Sequence, residues 1–403
     1  MIGPSPEQAK AEAGSGWLWP DGAPLGIYVH VPFCASTCDF CAFYQKQPGA
    51  EEVERYMMGI EREAAMVEWK RPVTTVFWGG GTPGLLAPRD LERLAGVVRA
   101  KSGGEVPEWT VEMAPASVTD ARLAVLRDAG VTRISLGVQS FRAELLDALG
   151  RQHTREQIFR AYERVQAAGF RSVNLDLMFA LPGQTAEAWA EDVRQAAALG
   201  PDHLSTYCLT FEEDTKLWVK LSQGRVKRDV EREATLYEAT WRQLADLGYE
   251  QYEVSNFARP GQQCLHNVNT WRMDEWVGLG PSAASQHAGW RGANVADLGK
   301  WLKDLEAGVR LTEDRVVVTP ALRAEDALIF GLRMNAGVDL GAWQRAVPGV
   351  PWSVVVATLD QLAAGGFLSW RGERVQLTDR GRLMADTVGA ELMAAFAAGE
   401  TGA

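Results

Sequence analysis

Apolar residues along this chain recur at two spacings that trade places several times. Residues 26 to 33, GIYVHVPF, read as a strand, and residues 51 to 69, EEVERYMMGIEREAAMVEW, as an amphipathic helix. The step repeats. Further strands are expected near 73–78, 109–113, 132–138, 172–179 and 203–209, separated by helical stretches near 88–101, 119–129, 154–168 and 184–199. Six strands alternating with helices call for parallel pairing and right-handed crossovers. The expected fold is α/β, an incomplete (β/α)6 barrel; an open doubly wound sheet fits the same alternation. In either case polar groups at the C-terminal strand ends form the working face.

After about residue 215 the rhythm changes to a helix, VEREATLYEATWRQLADLGY, then to a Gly- and Asn-rich stretch from 253 to 297 with no regular period. A boundary near 315–320 precedes helices at 323–334 and 352–366 and a hairpin, FLSWRGERVQLTDRG, which together predict a small winged-helix-like module. The expected organisation is an extension over 1–24, a core over 25–250, an irregular connection over 251–318, the module over 319–395 and a frayed tail over 396–403.

Composition narrows the classes. Forty-one Lys and Arg against 52 Asp and Glu give a net charge of −11 over 403 residues, which repels phosphate backbones and argues against a nucleic-acid partner. The opening residues lack a basic start followed by an apolar run, and no stretch approaches the roughly 18 apolar residues of a membrane span, so a cytoplasmic protein is expected.

Of the five cysteines, three crowd into YVHVPFCASTCDFCAFY: Cys34, Cys38 and Cys41. An odd number without an export signal makes a disulfide framework a poor explanation. Thiolates bind soft metals, and structural zinc or a conventional cluster takes four protein ligands. Cys208 or Cys264 could fold back as the fourth. The preferred reading is a four-iron cluster with one iron left open, since an open position separates a reactive metal site from a structural one.

The C-x3-C-x2-C spacing resembles the radical S-adenosylmethionine (SAM) superfamily, in which SAM chelates the fourth iron. With FWGGGTP, LGVQSF and DLMFALPGQT, the chain is similar to the branch containing oxygen-independent coproporphyrinogen III oxidase and the heme chaperone HemW, over about residues 25 to 390. That resemblance implies a partial barrel, a [4Fe-4S] cluster on the three cysteines, SAM, and an electron donor for the cluster. It also implies site residues. Gly80, Gly81 and Thr82 would take the amino-acid end of SAM, a role to which glycine-run N–H groups are suited. Tyr28 and Phe40 would pack at the cluster and cofactor, while Glu112, Gln139 and Asp176 would share one mouth, with Arg151 near SAM. His30, on the strand face of Tyr28, either tunes the site or is structural.

Two departures choose between the branch's activities. The oxidase pattern carries a further cysteine two positions beyond the third, where this chain has Phe43. HNVNTW, His266 to Trp271, resembles the H-N-x-x-Y-W motif of HemW with Thr270 in place of tyrosine. Histidine ligates heme iron and tryptophan offers a flat apolar face, with Cys264 as a second possible ligand. Downstream, Ala284 stands where relatives often have histidine, with His287 nearby. The expected function is a HemW-like protein that binds heme and passes it to a membrane-associated acceptor. The alternative is oxidative decarboxylation of coproporphyrinogen III, and a third reading is a metal-stapled scaffold without catalysis.

Overall fold

The computed structural model describes residues 23–69 and 71–400, so most of the N-terminal extension lies outside the described residues. Six strands, β1 (Leu25–Val31), β2 (Thr75–Gly80), β3 (Glu108–Met113), β4 (Arg133–Gln139), β5 (Ser172–Phe179) and β6 (His203–Cys208), pair in parallel in chain order. Helices Ala50–Met66, Pro88–Ser102, Asp120–Ala129, Arg155–Ala168 and Ala186–Leu199 make the crossovers. Their limits are written locally. Thr154 forms a capping box with Gln157 at the start of one, and Gly169, in the left-handed region, ends it.

The strands divide their two faces cleanly. Ile27, Val29 and Val31 on β1, and Ile134, Leu136 and Val138 on β4, are wholly buried beneath the helices. Burying such a side chain stabilises the fold by about 1.5–3 kcal/mol. The opposite face is polar and is tied across the strands: Asn174 donates to the Ser135 hydroxyl and to Asp176, both at 2.7 Å, and bonds His203 through Oδ1 at 2.6 Å. That polar face lines the interior of the curved sheet, which is the surface available for chemistry.

Residues 251–318 depart from the irregular connection that the sequence suggests. β8 (Asn256–Ala258) pairs antiparallel with β6, and β7 (Glu250–Gln251) with β8. On the far edge β9 (Glu275–Leu279) adds to β1 in parallel, followed by β10 (Ala284–His287), β11 (Trp290–Asn294) and β12 (Thr312–Val317), all antiparallel. The result is one twelve-stranded sheet. A buried carboxylate locks the added edge to the first crossover helix: Glu63 accepts from Gly280 N at 2.7 Å, Asn294 Nδ2 at 2.6 Å and Arg310 Nε at 2.8 Å.

The C-terminal module has its own core, which includes Leu328, Val355, Leu359, Val375 and Leu392. Helices Pro320–Gly331, Leu340–Ala346 and Trp352–Ala364 stand beside a small sheet of β13 (Val338–Asp339), β14 (Leu368–Arg371) and β15 (Arg374–Leu377), a winged-helix-like arrangement. A final helix, Ala385–Glu400, continues through the start of the stretch read as a tail, burying Phe396; residues 401–403 lie outside the described residues. Among the described residues no helix is long and apolar enough to cross a membrane.

Candidate functional site

The cysteine loop begins where β1 ends. Lys46 N donates to Pro32 O at 2.6 Å and Cys34 N to Lys46 O at 2.9 Å, closing the loop at its base. Its middle is pinned by Asp39, whose N–H donates to Leu149 O and whose carbonyl accepts from Leu217 N, both at 2.9 Å. The Asp39 carboxylate takes Lys220 Nζ at 2.7 Å and Lys216 Nζ at 3.3 Å. Although burial opposes it, the two lysines hold that carboxyl below its usual range. Phe40 turns toward a small apolar cluster that includes Leu145, Leu149, Met178 and Leu181.

Cys34, Cys38 and Cys41 are free, half-buried thiols of this loop. Burial pushes the Cys34 and Cys41 thiols up. Thr82 Oγ1 stands 3.7 Å from Cys34 Sγ, and Arg151 Nη1 3.5 Å from Cys38 Sγ. Among the described residues no three His, Cys, Asp or Glu side chains stand close enough to share one ion. Three thiols on one loop, with polar donors beside the Cys34 and Cys38 sulfurs, fit the donor set of a cluster that takes one thiolate per iron. The other two cysteines lie elsewhere. Cys264 is sealed under the barrel with Sγ 3.5 Å from Glu108, and Cys208, at the end of β6, faces Glu233 and Arg228.

The glycine run has a different local role from the one its spacing suggests. Gly79 and Gly80 complete β2 beside β1, and the next two amides are already committed: Gly81 N donates to Val31 O at 2.8 Å and Thr82 N to Phe33 O at 2.7 Å. Gly81 and Thr82 therefore fasten the run to the cysteine strand instead of offering an amide nest. Gly80, at φ +94, carries no side chain because a Cβ there would come within 2.4 Å of the His30 ring. His30 in turn bonds Tyr28 OH at 3.2 Å through Nδ1 and Tyr44 O at 3.0 Å through Nε2. It is a strut between β1, the glycine run and the far end of the cysteine loop, and burial lowers its basicity.

Glu112 and Asp176 approach each other toward the ends of β3 and β5. A Cβ on Gly79 would lie 2.9 Å from Glu112 Oε2, which places that carboxylate over the glycine run. Burial, together with the nearby Asp176, pushes the Glu112 carboxyl up to about 8. Asp176 accepts from Ser135 Oγ at 3.1 Å and from Asn174, and burial also raises its carboxyl. Gln139 ends β4 with φ 68, outside the region that non-glycine residues usually occupy. Arg151 donates through Nη2 to Gly137 O at 2.5 Å, while its Nε is buried without a hydrogen-bond partner. Two facing carboxyls and a guanidinium with a donor to spare fit an amino acid carrying a cationic sulfur.

His266 is not on this mouth. The helix Leu265–Trp271 lies across the opposite end of the barrel, its first amides held by the Glu108 carboxylate: Leu265 N at 2.8 Å and His266 N at 2.9 Å. The His266 ring stacks on Phe77 at 4.9 Å between centroids and on Tyr28 at 6.4 Å. Burial, and Arg133 nearby, lower its imidazole to about 4. At the other end of the helix Trp271 faces the C-terminal module, with Arg333 over its ring at 5.7 Å. His287 pairs with Glu275 at 3.3 Å, and Ala284 is exposed. Gly79, Gly137, Asp39 and Glu108 are missed by sequence reasoning; only Gly79 carries a signal, as the first of three consecutive glycines.

The radical SAM superfamily model matches residues 28–196, and the HemN C-terminal domain model residues 318–384. The chain is 32% identical over 360 residues to the heme chaperone HemW of Lactococcus lactis, an alignment covering 89% of this chain and 94% of that one. It is 34% identical over 379 residues to the heme chaperone HemW of Mycobacterium tuberculosis, covering 91% and 94%. Among solved structures it resembles the radical SAM enzyme coproporphyrinogen III oxidase (HemN) of Escherichia coli, with a TM-score of 0.80 and 23% identity over 92% of this chain and 90% of that one.

Proposed function

We propose, because this chain belongs to the heme chaperone HemW family of radical SAM proteins, that it binds heme and hands it to an acceptor protein. Membership implies a [4Fe-4S] cluster and SAM. The observation that carries the chaperone reading is the extent of likeness to HemW proteins, about a third identical across nine-tenths of both chains. Phe43 supports it: two-thirds exposed beside the cysteine loop, it occupies the place where the oxidase pattern has a further cysteine.

Cys34, Cys38 and Cys41 would hold three irons of the cluster. Bound and reduced, that group supplies an electron able to cleave SAM at its sulfonium. Glu112 would accept from the SAM ammonium or a ribose hydroxyl, and Arg151 Nε would meet its carboxylate. Tyr28 would form the adjoining wall, held by His30. Gln139 and Asp176 would orient the adenosine end, while Thr82 would touch both cluster and cofactor through its hydroxyl. We place the protein in the cytoplasm, served by a one-electron donor and delivering heme to a membrane-associated acceptor.

The heme ligand is tested directly. His266 could bind iron only if the Leu265–Trp271 helix lifts from the barrel, because its ring is packed against Phe77 and Tyr28. Titration of the cluster-loaded protein with heme should give a saturable Soret shift, and transfer to an apo-acceptor should remove it. No shift rejects the chaperone reading. A shift that survives His266→Ala moves the ligand elsewhere. The oxidase reading has only the shared fold behind it; anaerobic incubation with coproporphyrinogen III, SAM and reductant should release no CO2.

A further inference from the structure

Arg151 makes contacts that go beyond meeting a cofactor carboxylate. It follows the short helix Ala143–Ala148 after β4, and its own N–H bonds Leu146 O at 2.9 Å, which fixes its backbone at the end of that turn. Gly150 before it packs so close to the cysteine loop that a Cβ would stand 2.8 Å from Asp39 Oδ1. The two segments therefore form one unit. From it the guanidinium reaches two ways, Nη2 to Gly137 O at 2.5 Å and Nη1 to within 3.5 Å of Cys38 Sγ. Gly137 leaves room for this fork, since a Cβ there would lie 3.1 Å from Nη2.

A planar fork held at one tine has little freedom at the other. It cannot leave the thiol without giving up the carbonyl bond. The same cation is also in electrostatic range of Cys34 and Cys41, whereas Glu112 opposes it at Cys34. Adding an electron to a cluster increases the negative charge on its sulfurs, and N–H donors or cations beside those sulfurs favour the reduced form.

We propose that Arg151 is a positioning residue for electron entry, its guanidinium donating to the Cys38 thiolate and easing reduction of the cluster. One electron passes from a low-potential one-electron donor; no bond forms or breaks and no proton moves. The proposal rests on the family reading only in requiring a cluster on the three cysteines.

The test is an anaerobic potentiometric titration followed by electron paramagnetic resonance, without SAM, on reconstituted wild type, Arg151→Gln and Arg151→Lys. Iron and sulfide are counted on the same samples. The glutamine variant should keep its iron, yet at a fixed applied potential its reduction equilibrium should move at least tenfold toward the oxidised form, about 59 mV for one electron. The lysine variant keeps the charge and loses the fork, so it should fall between. Because SAM is left out, a role confined to the SAM carboxylate would not move this reading. Variants with full iron that titrate like the wild type overturn the proposal, and so does loss of iron from both, which would make Arg151 a brace for the loop. A wild-type chain that holds no cluster takes down the family reading itself.

Discussion

Glu112 shows how one buried carboxyl can report on the whole mouth. Burial and Asp176 raise it to about 8, against the pull of the Gly80 amide and Arg133. The folded chain therefore holds a proton there that an unfolded chain releases near the ordinary glutamate value. Between that value and about 8, the stability contributed by this residue falls as pH rises; above 8 it is level. A cation changes the balance, because the ammonium and sulfonium of SAM favour the ionised carboxyl and expel the proton. SAM affinity should thus climb with pH from about 6 to about 8, approaching tenfold per unit on the acid side, and level off beyond. Equilibrium dialysis on cluster-loaded protein reads this, and Glu112→Gln should remove the slope due to this group. Identical profiles in the two proteins would assign the dependence to the ligand. Glu112 was legible as a strand-end polar residue, and the cysteines by spacing alone. Gly137 and Asp39 were not, because their importance comes from a side chain brought to them by a segment remote in sequence.

The helix Leu265–Trp271 illustrates the same limit one level up. HNVNTW is conspicuous as a motif, but nothing in it says which end of the barrel it covers. Glu108, the first residue of β3, decides that by accepting two of the helix's opening amides. A seven-residue helix has little stability alone, so its anchor matters. Glu108→Ala leaves both part-buried amides without their carboxylate and should cost about 1–3 kcal/mol in chemical denaturation. Hydrogen exchange should quicken across 264–271 well before the parallel strands respond. An unchanged exchange rate there would show the helix to be held from its other side. The six parallel strands were readable because burial on one face imposes apolar alternation over six to eight residues. β8 to β11 were not. They are three to five residues long, too short to show an alternation, and form because an existing sheet edge supplies their partners.

Across the whole molecule, the C-terminal module and the barrel meet through the segment that closes the barrel floor. Asn335 N donates to Tyr252 O at 3.0 Å, its Nδ2 to Gln251 O at 2.7 Å, and Arg382 Nη1 to Gln251 Oε1 at 2.5 Å. Met334 shares a small apolar cluster with Tyr252, Val268 and Trp271, while Tyr252 OH bonds both His203 at 2.9 Å and Cys264 N at 3.3 Å. Contact thus runs without a break from the module, through Tyr252 and the HNVNTW helix, to the rings of Phe77 and Tyr28. The change of rhythm near 315–320 gives no sign of this continuity, because no local pattern encodes which surface a module turns inward. The module's own core predicts that residues 319–400 expressed alone will unfold cooperatively. The remaining piece, 1–318, loses cover from Tyr252, Val268 and Trp271. At about 1.5–3 kcal/mol for each such side chain, partly offset by relaxation, its melting temperature should fall by about 10 °C or more. Mixing the two pieces should restore the melting temperature. If the barrel piece melts like the full chain, the floor is self-sufficient, and the module's place beside the HNVNTW helix has to be explained by something other than stability.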